Sequence, residues 1–161
     1  MPFSIQIDGI ESLIGNIDRL PQKAADVAAL ALYEGAGVVA DAVSKAIDGI
    51  ATEKFRYAKG GRKRKPSPEE KALISGAKHG VAKFNKSIVE VNTSVGLQNA
   101  GYGSLNGKTK PIPQIANAIN SGTSFMQKQP FMRKAFSQSK GPAESAIEAG
   151  ILSRESMLSL D

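Results

Sequence analysis

Between Gln22 and about Ile50 the chain contains no proline, is rich in alanine, and repeats apolar residues on one side. Val27, Leu30, Ala31, Val38, Ala42, Val43 and Ile47 mark that side. A stretch of this kind predicts one long helix, about 40 Å from end to end at ~1.5 Å per residue. Any fold for this chain has to be built around it. Gly35 and Gly37 fall inside and each costs roughly 1 kcal/mol against alanine. They are either packing sites where another backbone comes close or a weak point or kink, and packing is the favoured reading because the apolar pattern stays in phase beyond them. Glu34, Asp41 and Asp48 recur every seven residues on a slowly drifting stripe. That stripe reads as a solvated face, with Lys45 placed to pair with Asp41.

Other elements are shorter. Phe3, Ile5 and Ile7 alternate with polar residues as in a half-buried strand, and Ile10 to Leu20 is helical by spacing. Ser67-Pro68-Glu69-Glu70 has the residues of a helix start: a capping serine, a proline at the first position and a glutamate three residues after the cap. Ser87 to Val95 alternates as a strand, while Ile112, Ile115, Ala116 and Ile119 predict a short helix. Residues 51–66 read as a flexible basic loop and 96–113 as a long Gly/Pro-rich loop. Gly141-Pro142 predicts a break before a last helix that turns Ile147, Ile151 and Leu152 inward. Residues 153–161 read as a tail ordered only by a partner. The expected architecture is a single α+β domain over 1–161. A small antiparallel or mixed sheet packs against one long helix, with several short helices and long flexible loops.

Composition narrows the chemistry. The 161 residues include no cysteine and one histidine, which excludes disulfides, thiolate catalysis and Cys-based or two-histidine zinc sites within one chain. No apolar run reads as the ~20 residues of a membrane span. The first residues lack the pattern of a signal peptide, so the expected setting is the cytoplasm or a particle assembled there. Gly101 to Thr109 superficially resembles a phosphate loop. However, Tyr102 stands where the Walker pattern needs glycine, and Pro111 and Pro113 follow where a helix should begin. His79, beside Lys78 and Gly80, reads as an ordinary surface or turn residue. No catalytic, cofactor-binding or metal-binding residue is predicted.

One binding candidate remains. Lys54, Arg56, Lys59, Arg62, Lys63, Arg64 and Lys65 lie close together, interleaved with Phe55 and Tyr57, and hold much of the net charge of +6. Such a run could contact phosphates without sequence preference, dock on an acidic neighbour, or simply be solvated.

The stretch Ser121 to Phe136 reads as a turn, a connector and a helix opened by Pro130, with Phe131, Met132, Ala135 and Phe136 on its apolar face. Its order of Gly122-Thr123-Ser124, a methionine, then Gln129-Pro130-Phe131-Met132-Arg133 resembles the C-terminal signature of the neck or tail-completion proteins of long-tailed, non-contractile phages. Ile7-Asp8-Gly9-Ile10, Leu20-Pro21-Gln22-Lys23-Ala24, Glu34-Gly35-Ala36 and Lys86-Ser87-Ile88 are similar to that family's strand, helix entry, long helix and later strand. Where many relatives carry a Pro-x-Asp-Thr-Gly-like segment, this chain has its basic loop. The resemblance implies a non-enzymatic virion protein without cofactors. It would form a ring, six-fold in expectation, at the head-proximal end of the tail. Implied partners are further copies of itself, tail-tube or terminator proteins, head-connector proteins, and DNA passing through the channel, with no membrane. Gly122, Thr123, Pro130, Phe131 and Arg133 would be structural or interface residues. A tail terminator or head-closure protein, or a small sequence-independent DNA-binding protein, are the alternatives.

Overall fold

In the computed structural model, which describes residues 23–54, 59–76, 80–86, 91–97 and 100–158, the proline-free stretch is one helix, α1 (Lys23–Asp48). A 3-10 turn (Lys59–Gly61), helix α2 (Pro68–Ser75) and strands β1 (Gly80–Lys86), β2 (Val91–Gly96), β3 (Tyr102–Leu105) and β4 (Lys108–Pro111) follow. Helices α3 (Ile112–Ser121), α4 (Phe131–Leu152) and α5 (Glu155–Leu158) complete an α+β fold. Among the described residues the strands form two two-stranded antiparallel sheets, β1–β2 and β3–β4. The predicted strand at 3–7, the helix at 10–20 and His79 lie outside the described residues, as does the start of the predicted strand at 87–90.

The chain divides into two compact units. The first comprises Met1–Ala40, Gly80–Gly96 and Gln138–Asp161. Here α1 and α4 approach through a glycine on each helix. A Cβ at Gly35 would run into the Ile147 side chain, and one at Gly150 would lie 3.0 Å from Ala31 Cα. Ala24, Val27, Ala31, Ala36, Val39, Ala143 and Ile147 are buried in this unit. Gly35 therefore packs as its sequence context suggests, whereas Gly37 does not: no atom lies within 4 Å of a Cβ built there. At the end of α4, Arg154 pairs with Glu34 at 2.6 Å. The hydrogen bond from Arg154 holds the exposed Glu34 carboxyl below its ordinary range.

The second unit comprises Asp41–His79 and Leu97–Ser137. Val43, Ile47 and Ile50 pack with Ile74 of α2, with Ile112, Ile115, Ala116 and Ile119 of α3, and with Phe131, Met132 and Ala135 of α4. The helix start at Ser67 forms as read, with both halves of its capping box made.

Four sequence expectations change. The supposed Gly/Pro-rich loop contains the β3–β4 hairpin, turned by Asn106 (φ 56°) and Gly107 (φ 73°). Asn-Gly is the residue pair such a two-residue turn selects, because both positions need positive φ. Pro142 does not break the chain; it lies inside the continuous α4. An internal proline forfeits one ladder hydrogen bond, but Ala143 and Ile147 just beyond it are buried and hold the helix together. Leu152 points outward, 67% exposed. Finally, Ala24–Asp48 is long and apolar enough by length and composition to span a membrane. The same properties describe a core helix, and α1 carries Asp26, Glu34, Asp41, Lys45 and Asp48 along its length.

Candidate functional site

Three stretches far apart in sequence meet in the second unit: the end of the basic run, the β3–β4 turn and the signature segment. The backbone of Arg64 forms a parallel bridge with Met126. Its N–H donates to the Phe125 carbonyl at 2.9 Å, and Gln127 N–H donates to the Arg64 carbonyl at 2.7 Å. Arg64 then turns its guanidinium onto Glu70, making two hydrogen bonds of 2.8 Å each to the carboxylate oxygens. A further Arg64 N–H donates to the Lys65 carbonyl at 3.1 Å. The guanidinium also lies over the Phe125 ring, 5.9 Å from its centroid, within cation–π range.

Glu70 does two jobs. As third residue of α2 it accepts the Ser67 N–H at 2.8 Å, closing the capping box, while it accepts the fork from Arg64. Burial pushes its carboxyl upward. The hydrogen bonds from Arg64 and Ser67 and the nearby charges of Arg64 and Lys110 outweigh that and hold it below the usual range. The same hydrogen bond raises Arg64 further above its already high value.

The basic run is therefore not a row of equivalent free cations. Arg64 is a structural residue, its side chain 15% exposed. Arg62 pairs with Glu53 at 2.6 Å but stays in water, 69% exposed. Lys54 and Lys63 are exposed and Lys65 is half-buried. Arg56 and the side chain of Lys59 lie outside the described residues.

The signature segment is a clasp between α3 and α4. Gly122 ends α3 at φ 75°, and Lys128 comes so close that a Cβ would lie 3.0 Å from its backbone nitrogen. The Thr123 hydroxyl accepts the Met126 N–H at 3.0 Å. The Gln129 amide holds Ala51 from both sides, accepting its N–H at 3.0 Å and donating to its carbonyl at 2.8 Å. Asn120 accepts the Met132 N–H at 3.1 Å and so caps the start of α4. Pro130 precedes the first turn, and its carbonyl accepts the Lys134 N–H at 3.2 Å. Phe131 is buried; Arg133 is exposed.

Between these stretches lies a concavity of about 550 Å³, lined among others by Arg62, Arg64, Glu69, Leu105, Asn106 and Phe125. Its inner charges neutralise one another, one wall is aromatic and aliphatic, and Arg62 stands at the rim. Such a mixture suits protein side chains better than a phosphate backbone, which needs free cations. Among the described residues, no group of three or more His, Asp or Glu is placed to hold a metal ion.

Glu53, Glu70, the Asn106-Gly107 turn and Gln129 shape this site structurally, and the sequence does not mark them as part of it. The Asn-Gly pair carries a local turn signal and Glu70 a capping-box signal, but neither reveals the pairing with Arg64. The Arg64–Glu70 fork spans a turn and has no period to reveal it. Comparison with protein-family models, with characterised proteins and with solved structures finds nothing similar to this chain.

Proposed function

We propose that this chain is a non-enzymatic structural protein of a phage virion. It forms a ring, six-fold in expectation, at the head-proximal end of the tail, where it contacts tail-tube or terminator proteins and head-connector proteins. The observation that carries this reading is the use made of the signature segment. Gly122, Thr123, Pro130 and Phe131, which bear the resemblance, each hold the helix–link–helix clasp and its core. A segment shared for its fold has that character. The concavity beside it, with its internally matched charges and exposed Phe125, is a surface for docking proteins.

The test is direct. Native mass measurement and particle averaging of the purified protein should show a closed ring. A monomer at tens of micromolar at both low and high salt counts against the reading. Tail-terminator and head-closure roles belong to the same class and are separated by which purified connector protein the ring binds. A sequence-independent DNA contact is the second reading, favoured by the exposed Lys54 and Lys63 and weakened by the commitment of Arg62 to Glu53 and of Arg64 to Glu70.

A further inference from the structure

Between Leu97 and Ser137 the second unit contains no Asp or Glu, and its cations there, Lys108, Lys110, Lys128, Arg133 and Lys134, are all exposed. They fall into two groups. On β4, Lys110 lies near enough to Glu70 for its charge to act on that carboxylate. At the start of α4 the cations have no such counterpart. Among the described residues, Lys128, Arg133 and Lys134 make no ion pair and no side-chain hydrogen bond.

A fourth cation joins this second group through the Gln129 amide. By holding Ala51 from both sides, at 3.0 and 2.8 Å, Gln129 fixes the segment that carries Lys54 against the segment that carries the other three. All four cations lie within five residues of this clamp, a reach of about 12 Å. Lys54 is exposed, and it too makes no ion pair among the described residues. The anions of the Ala51 segment are answered locally. The Glu53 carboxylate accepts from Arg62 at 2.6 Å and from the Lys65 N–H at 3.3 Å. Asp48 has the Lys71 ammonium on its own carbonyl at 2.7 Å, with Lys45 one helical turn away.

The first turns of α4 offer no apolar anchor beside these charges. Phe131 and Met132 are each 4% exposed, and Phe136 packs against the core. Phe125, an exposed ring close by in sequence, belongs to the wall of the concavity. A protein partner draws its affinity from apolar and aromatic contacts, and lysine is depleted at such interfaces. Three of these four cations are lysines. A lysine-rich surface without an anchor suits a phosphate backbone, where each neutralised phosphate releases counterions and no base is read. The want of an exposed ring also favours a duplex over a single strand, whose bases stack on aromatic side chains.

We propose that Lys54, Lys128, Arg133 and Lys134 bind the phosphate backbone of a double-stranded nucleic acid without reading its sequence. The contact falls at the start of α4 and not on the run that ends at Lys65, whose Arg62 and Arg64 are committed to Glu53 and Glu70. It requires no ring and stands apart from the virion reading.

The full chain is titrated with a fluorescent duplex of arbitrary sequence, as DNA and as RNA, across a range of salt, and thermal unfolding shows that each variant is folded. Four phosphate contacts predict an affinity that falls about 150-fold between about 50 and 200 mM salt, at ~0.9 per contact on a log–log scale. Lys128→Gln with Arg133→Gln and Lys134→Gln should reduce that fall to about 3-fold. Lys54→Gln alone, on the other segment, should reduce it to about 40-fold. Lys63→Gln with Lys108→Gln, exposed cations outside the group, should leave it unchanged.

A natural chain that ignores both duplexes at the lowest salt overturns the assignment, as does a triple variant with the natural salt dependence. Loss of binding in the Lys63 and Lys108 variant overturns it in favour of the surface beside the concavity. Tighter binding of polyglutamate, or of phosphatidylserine vesicles, than of either duplex transfers the surface to an acidic protein or a lipid. Preference for the DNA or the RNA duplex, with the expected losses in the variants, upholds the contact and names the source of the phosphates.

Discussion

The end of the basic loop 51–66 and the signature segment 121–136 touch along one parallel bridge, and each sends neighbouring residues in opposite directions. In the first, Arg64 turns inward to Glu70 while Lys63 stays in water. In the second, Met126 is 3% exposed and Phe125 60%. Their compositions suggest a different division, a solvated cationic loop beside an apolar core element. In the fold both are half scaffold and half surface, because an extended backbone alternates its side chains whatever they are. Availability for binding is thus set residue by residue by the bridge at Arg64 and Met126.

The strongest challenge to this comparison falls on the scaffold half of the signature segment. Phe131→Ala removes a ring that is 4% exposed in the core of the second unit and should cost about 3–5 kcal/mol, read as a large drop in thermal midpoint and in ring assembly. Arg133→Ala, two residues on and exposed, should stay within about 0.5 kcal/mol. Equal effects at the two positions would dissolve the distinction between the faces of this helix.

Next in size is the ion pair that joins the two segments. Arg64→Ala leaves the Glu70 carboxylate with 10% side-chain exposure and no guanidinium, and should cost about 2 kcal/mol. Lys63→Ala should be neutral within about 0.5 kcal/mol. The pair also fixes a pH dependence. The folded pKa of Glu70 is depressed, so its stabilisation is present in full above the ordinary carboxylate range, near pH ~4.3, and is lost as pH falls through the lower folded value. The natural chain should therefore lose stability below about pH 4 more steeply than Arg64→Ala, in chemical denaturation followed across pH 2–6. Parallel curves for the two proteins would remove Arg64 from its scaffold role.

Much of this architecture is legible in the sequence where a local rule applies. The periodicity of 22–50, the capping box at Ser67–Glu70 and the apolar set Ile112, Ile115, Ala116 and Ile119 all appear as helices where expected. The Asn106-Gly107 turn was equally legible by its residue type, but the surrounding glycines and prolines hid the strands on either side. Pro142 shows the opposite failure: a strong local breaker is overridden by the burial of Ala143 and Ile147. The candidate site was only half visible. Its cations could be named, yet which of them is free depends on Glu53 and Glu70, whose pairing with Arg62 and Arg64 follows from tertiary placement that no spacing encodes.

The smallest expected effect carries the same inward–outward argument onto α1. Gly35 and Gly37 share an intrinsic helix cost of about 1 kcal/mol each, and sequence alone does not separate them. Gly35 faces Ile147, whose side chain leaves no room for a methyl group, whereas Gly37 faces open space. Gly37→Ala should therefore stabilise the monomer by up to about 1 kcal/mol in thermal unfolding, and Gly35→Ala should destabilise it, because Ile147 or the helix must shift. The opposite signs matter more than their sizes. If Gly37→Ala stabilises the isolated chain but weakens ring assembly, the open space above Gly37 is filled by the next copy. If assembly is unchanged, α1 meets no neighbour at that position.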